Sequence, residues 1–150
     1  MLEYCQGNIL AAQTAALVNP VNCVGVMGKG LALQFRQAFP ANYQAYVKAC
    51  RAGAVQLGSM FVFVESNAEQ PMTIINFPTK QHWKQQSYLA DIASGLDDLI
   101  AVLADRSLDS VAVPALGCGY GSLAWADVEP LIIKAFERLP NLHVQLYPPQ

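Results

Sequence analysis

The segment VNPVNCVGVMGKG, Val18–Gly30, runs from an apolar stretch into a glycine-bearing loop, and a helix-like run, Leu31–Phe39, follows it directly. A loop at the N-terminus of a helix exposes backbone N–H groups, and such groups bind anions. Asn19 and Asn22 lie in the same segment, where their side-chain amides are placed to hydrogen-bond a sugar. We therefore interpret this segment as the binding loop for a ligand that carries phosphate and ribose.

Strands and helices alternate along the rest of the chain. β-branched and aromatic runs predict strands, and apolar residues at i, i+3, i+4 and i+7 predict helices. The predicted strands are Leu2–Cys5, Ala15–Asn19, Met60–Glu65, Met72–Phe77, Val111–Ala115 and Leu142–Tyr147, and the predicted helices are Leu31–Phe39, Ala41–Ala52, Tyr88–Ala104 and Trp125–Leu139. This alternation predicts a single α/β domain over residues 1–150 with a largely parallel or mixed sheet.

The composition favours a sheet that is covered on both faces. Apolar residues make up 53% of the chain and charged residues 13%, so the strands are expected to be buried on both sides. No apolar run approaches the ~18 residues of a membrane-spanning helix, and the N-terminus lacks the basic and apolar regions of a signal peptide. We expect a cytoplasmic monomer that does not bind a membrane.

Charge and cysteine spacing exclude several classes of function. The formal net charge is −2, whereas a protein that binds duplex DNA along its phosphates is usually basic. A nucleic-acid partner is therefore expected to be held through a small attached group. Cys5, Cys23, Cys50 and Cys118 have no CxxC spacing and no nearby pair of histidines. Neither a zinc site nor a disulfide framework is expected, and no metal or cofactor is predicted.

A second glycine loop, Gly117–Gly121, has the sequence GCGYG and lies between a predicted strand and a predicted helix. Its GxGxG spacing differs from the GxGxxG of a Rossmann fold, and the first loop lacks the spacing of a Walker A motif. Glycines let the backbone approach an anion closely, and ligands of open α/β sheets bind at the carboxyl ends of the strands. The two loops are therefore expected to hold a pyrophosphate between them.

Four motifs carry a resemblance to a known family. The motifs are GNIL at Gly7–Leu10, ALVNPVNCVGVMGKGLALQF at Ala16–Phe35, NFPTKQHW at Asn76–Trp83 and PALGCGYGSLAW at Pro114–Trp125. They resemble the motifs of macrodomains, and more closely those of the DarG-type DNA ADP-ribosyl glycohydrolases. The motifs occur in the family's order and extend over nearly the whole chain. The resemblance implies a three-layer α/β/α fold, with a mixed, mostly parallel six-stranded sheet that binds ADP-ribose.

The resemblance also implies roles for single residues. Asn8 and Ile9 would lie at the adenine end, with Asn8 in place of an aspartate of many other macrodomains. Lys80 matches the family's catalytic lysine, and Asn22 would face the distal ribose, which bears the bond to be cleaved. We predict both of these as catalytic. The residues predicted to bind ADP-ribose are Asn8, Ile9, Asn19, Gly28, Lys29, Gly30, Leu31, Thr79, Pro114, Leu116, Gly117, Cys118, Gly119, Tyr120 and Gly121.

Two departures from the family pattern limit what the resemblance implies. Gly121 stands where relatives that act on proteins carry an aspartate, which argues against ester-linked glutamate or aspartate substrates. Two-domain DarG proteins continue into a segment that engages a partner toxin, whereas this sequence ends at Gln150. Direct toxin binding by this chain is therefore not expected.

The sequence leaves the function and the chemistry open at several points. The chain is expected to remove ADP-ribose from a modified DNA base, to hydrolyse an O-acyl-ADP-ribose or an ADP-ribosylated protein, or to bind ADP-ribose without catalysis. Lys80 would act as a neutral nucleophile or as a charged donor to the departing base. His82 and Trp83 would either contact the modified base or simply pack beside a strand end. The basic cluster of Lys80, His82 and Lys84 is by itself typical of a solvated surface.

Overall fold

In a computed structural model that describes residues 1–66 and 71–150, six strands form one sheet with helices on both faces. The strands are β1 (Leu2–Tyr4), β2 (Ala16–Val21), β3 (Phe61–Glu65), β4 (Met72–Pro78), β5 (Ser110–Pro114) and β6 (His143–Tyr147). The helices are α1 (Gly30–Ala38), α2 (Pro40–Arg51), α3 (Leu89–Asp105) and α4 (Trp125–Phe136), and a 3-10 turn covers Ile9–Ala11. Among the described residues, no helix is long and apolar enough to span a bilayer.

The sheet is mixed and mostly parallel. Its strand order is β1-β6-β5-β2-β4-β3, and only the edge pair of β3 with β4 is antiparallel. The carboxyl ends of the five parallel strands therefore lie at one edge of the sheet. This topology confirms the predicted fold class.

Alternating residues of the strands face two separate helical layers. On β2, Ala16 and Val18 belong to the core beneath α3 and α4, whereas Leu17 and Val21 face α1 and α2. All four side chains are buried, as expected for strands that are covered on both sides. The three-layer α/β/α arrangement is thus confirmed.

The central strands separate at the carboxyl edge of the sheet. β2 pairs with β4 along its whole length, but it pairs with β5 only at Ala16 and Leu17. After β2 the chain continues to strands on the β4 side of the sheet, and after β5 it continues to β6 on the opposite side. The direction of the strand order therefore reverses between β2 and β5. Ligand clefts of open α/β sheets form at such a reversal.

Candidate functional site

A cleft of about 1540 Å³ opens at the carboxyl ends of the parallel strands. The segments that follow β1, β2, β4, β5 and β6 all contribute to its walls. Most of the residues predicted from the sequence line it: Asn8, Ile9, Asn22, Gly28, Lys29, Leu31, Thr79, Lys80, Trp83, Pro114, Gly117, Cys118, Gly119, Tyr120 and Gly121.

Four of the predicted residues, Asn19, Gly30, Leu116 and His82, do not line the cleft. Leu116 is fully buried in the core beneath α3 and α4. Gly30 begins α1 with a φ of +57° and lies beneath the Tyr120 ring. His82 packs against Trp83, with the two ring centroids 5.4 Å apart. These three positions support the cleft from behind or from the side.

Asn19 is fully buried in a network of three asparagines, so it does not reach a ligand in the cleft. Its Nδ2 donates to Asn76 Oδ1 at 3.0 Å. The Asn76 Nδ2 in turn donates to Asn42 Oδ1 at 2.9 Å and to Phe61 O at 3.0 Å. The network therefore joins β2, β4, α2 and β3, and the sugar-binding role predicted for Asn19 is corrected to a structural one.

Lys80 lies between the loops that follow β4 and β5. Its Nζ donates to Trp83 O at 3.1 Å and to Tyr120 O at 3.2 Å, and the side chain is half-buried. Burial lowers the pKa of the Lys80 ammonium, and the nearby positive charge of Lys29 lowers it further. Among the residues that the structure describes, no aspartate or glutamate lines the cleft, whereas Lys29, Lys80 and Lys84 do.

Asn22 holds the first glycine loop in shape. Its Nδ2 donates to Val26 O at 2.7 Å, and its Oδ1 accepts from Val24 N at 3.1 Å and from the Tyr46 hydroxyl at 2.8 Å. An amide nitrogen carries two N–H groups, so one remains for a ligand in the cleft. Asn22 thus combines the predicted position on the cleft wall with a structural role that the sequence did not show.

The second glycine loop closes tightly against Ser87. Ser87 N donates to Gly121 O at 2.9 Å, and a Cβ added at Gly121 would lie 2.5 Å from Gly117 O and in collision with Ser87 Oγ. Gly117 itself has a φ of +75°, in the left-handed region that favours glycine. Position 121 therefore admits only glycine in this loop conformation, and an aspartate there does not fit.

The opposite end of the cleft is formed by two distant parts of the chain. Gln150 Nε2 donates to Gly7 O at 3.3 Å, and Asn8 Oδ1 accepts from Leu10 N at 3.0 Å to cap the 3-10 turn. Sequence reasoning missed the segment after β6, although it had to lie at the same edge of the sheet as the glycine loops. The lining residues that were not predicted are Gly7, Pro20, Val21, Val26, Ala32, Gln34, Lys84, Gln85, Gln86, Ala115, Ser122 and Tyr147–Gln150.

This fold and cleft are those of a macrodomain. The family model for the Macro domain matches residues 18–132, and the chain belongs to that family. The structure superimposes on the macrodomain of Mycobacterium tuberculosis DarG with a TM-score of 0.97 and 50% identity, covering 100% of this chain and 99% of that one. It also matches Thermosipho africanus DarTG in complex with ADP-ribose, with a TM-score of 0.93, 34% identity, and coverage of 99% of this chain and 41% of that one.

A curated relative carries a named activity. The DNA ADP-ribosyl glycohydrolase of Mycobacterium tuberculosis is 52% identical over 149 residues, which are 99% of this chain and 42% of that protein. The chain thus spans about two fifths of the length of the curated DNA ADP-ribosyl glycohydrolases that it matches.

Proposed function

We propose that this chain is a DNA ADP-ribosyl glycohydrolase: it cleaves the bond between the distal ribose of ADP-ribose and a DNA base, and Lys80 is its catalytic residue. The position of Lys80 carries the proposal. It is a half-buried amine held by the backbones of two loops at the wall of a cleft. The names of the DarG relatives support the same activity and the same kind of substrate.

The cleft has the chemical character that ADP-ribose requires. Its lysines and the backbone N–H groups of its glycine loops suit a diphosphate, and the described part of its wall carries no aspartate or glutamate. The adenine belongs at the end formed by Gly7–Ile9 and Tyr147–Gln150. The distal ribose then reaches Lys80 and the free N–H of Asn22.

In this proposal Lys80 acts as a nucleophile. A neutral amine has two N–H groups and one lone pair, and Trp83 O and Tyr120 O accept both N–H groups. The lone pair then occupies the remaining tetrahedral position. Attack on the anomeric carbon forms a bond to Nζ while the bond to the base breaks; the base leaves with the electron pair and takes up the proton that the alkylated Nζ releases. Water then displaces the lysine, which restores the amine and releases ADP-ribose.

The charged form of Lys80 would act by a different mechanism, and the pH dependence of kcat/KM distinguishes the two mechanisms. An ammonium would donate its third N–H to the departing base, so kcat/KM would fall as pH rises through the Lys80 pKa. A nucleophilic amine requires the opposite, an increase in kcat/KM with pH over the same range. Because burial and Lys29 lower this pKa, we expect the rising limb to lie below the usual range for lysine.

Lys80→Ala tests the proposal. Its release of ADP-ribose from modified oligonucleotides is expected to fall by about a hundredfold or more, as for loss of a nucleophile or proton donor, while calorimetric binding of free ADP-ribose persists. Lys48→Ala, an exposed lysine of α2 away from the cleft, is the matched control. The substrate panel contains modified thymidine and modified guanosine oligonucleotides, an O-acyl-ADP-ribose and an ADP-ribosylated protein. A wild-type protein that binds ADP-ribose and releases none from either oligonucleotide refutes the proposal.

A further inference from the structure

Two aromatic side chains stand exposed beside the catalytic lysine. Trp83 is 44% exposed and Tyr120 is 65% exposed, although both residues line the cleft. Each accepts a hydrogen bond from Lys80 Nζ through its backbone carbonyl, so the two rings project from the two loops that meet at this amine. Exposed aromatic rings at the mouth of a binding cleft are available to stack on a part of the substrate that lies outside it.

Each ring is accompanied by a lysine. Lys84 Nζ lies 5.1 Å from the centroid of the Trp83 ring, and Lys29 Nζ lies 5.6 Å from the centroid of the Tyr120 ring. We call these two sets, Trp83 with Lys84 and Tyr120 with Lys29, the rim pairs. An exposed cation–π contact is weak, so the ammonium is free to leave the ring for a phosphate while a base takes its place on the ring face. Each rim pair thus offers one stacking face and one positive charge.

The charge distribution around the cleft favours a polyanion. No aspartate or glutamate occurs in the sequence between Glu3 and Glu65, the stretch that contains β2, the first glycine loop and helices α1 and α2. Most of the aspartates and glutamates lie instead on or next to α3 and α4 in the sequence, and these helices cover the other face of the sheet. A chain with a net charge of −2 therefore presents a locally basic mouth.

We propose that the rim pairs bind a single strand of nucleic acid on the two sides of the modified nucleotide. This inference rests on the proposed function, because the strand is held where its ADP-ribosylated base enters the cleft. Aromatic faces with interleaved cations bind unstacked bases and the phosphates between them, which is the usual pattern of single-strand sites. A duplex keeps its bases stacked and offers the rings no free face.

The test compares two substrates that carry the same modified base. One is an ADP-ribosylated mononucleoside, and the other is an ADP-ribosylated single-stranded oligonucleotide with several nucleotides on either side of the modification. We expect the KM of the wild type to be about tenfold lower for the oligonucleotide, as stacking of flanking bases predicts. The ratio of the two KM values cancels any effect of a substitution on ADP-ribose binding or on the chemistry, which both substrates share.

The variants address the two parts of each rim pair. Trp83→Ala combined with Tyr120→Ala is expected to bring the KM ratio close to one. Lys84→Gln is expected to reduce the slope of log KM against log salt for the oligonucleotide by about 0.7, the loss of one phosphate contact. Tyr88→Ala and Lys48→Gln are the matched controls, since both side chains are exposed and neither lines the cleft.

Three results would overturn the inference while leaving the proposed function standing: a wild-type KM ratio near one, a ratio that the double variant does not change, or a KM that stays low when the oligonucleotide is annealed to its complement. If ADP-ribose is released from neither substrate, the proposed function itself fails. The two failures are therefore distinguishable.

Discussion

Gly121→Ala is expected to destabilise the ligand-free protein, because the added methyl group would overlap with neighbouring atoms. It would lie 2.5 Å from Gly117 O and would collide with Ser87 Oγ. Both neighbours are fixed: Gly117 O accepts from Leu123 N at 2.9 Å, and Ser87 N donates to Gly121 O at 2.9 Å. Overpacking of this kind costs about 1–3 kcal/mol, which lowers the melting temperature of a domain of this size by about 2–12 °C.

Gly119→Ala is the matched control in the same loop. The φ of Gly119 lies outside the left-handed region, and no heavy atom lies within 4 Å of an added Cβ. Its melting temperature, measured by calorimetry without ligand, should stay within about 2 °C of the wild type. Adding Ser87→Gly to Gly121→Ala should recover only part of the loss, since the contact with Gly117 O remains. Equal melting temperatures for the two alanine variants would refute the reasoning.

Two further predictions concern the buried interior. Asn76→Ala leaves the polar groups of Asn19, Asn42 and Phe61 without their partner. We therefore expect the free energy of unfolding, measured in urea, to fall by about 3–5 kcal/mol. A decrease below about 1 kcal/mol would contradict the structural role given to the network. Burial raises the pKa of the Cys23 thiol from its ordinary 9.0 to about 11, so between these values the unfolded chain releases a proton that the folded chain retains. The free energy of unfolding should therefore fall as pH rises from 9 to 11. Cys23→Ala should reduce the change of the urea midpoint with pH over that range. An unchanged dependence on pH would argue against a raised pKa of Cys23.

The covering of the sheet on both faces was predictable because it follows from composition. In β2, the adjacent apolar residues Leu17 and Val18 face opposite helical layers, which is the pattern of a strand that is buried on both sides. The adenine end of the cleft has no such signal. It depends on a contact between Gly7 and Gln150, which lie at opposite ends of the chain. Only the strand order of the folded sheet brings these segments together.

The misplacement of Asn19 has a specific physical cause. The predicted strand ends at Asn19, just before Pro20, a residue type that has no N–H and is normally excluded from central strands. The strand instead continues to Val21, whose carbonyl accepts from Thr79 N at 2.8 Å on the β4 side. The backbone polar groups of successive strand residues point to opposite sides, so the Pro20 nitrogen faces β5. At this position β2 no longer pairs with β5, and no N–H is needed there. Two extra strand residues place Asn19 inside the sheet and leave Asn22 on the cleft wall.

The chemistry proposed for Lys80 depends on the glycine at position 121. Lys80 Nζ is held by neutral carbonyls, one of them from Tyr120, the residue next to Gly121. A carboxylate at position 121 would stand close to that ammonium and would raise the pKa of Lys80, which favours the charged form. The contacts with Ser87 and Gly117 exclude any such side chain, so burial and the charge of Lys29 keep this pKa low. In the proposed mechanism, the second glycine loop therefore both receives the diphosphate and keeps the Lys80 amine available for attack.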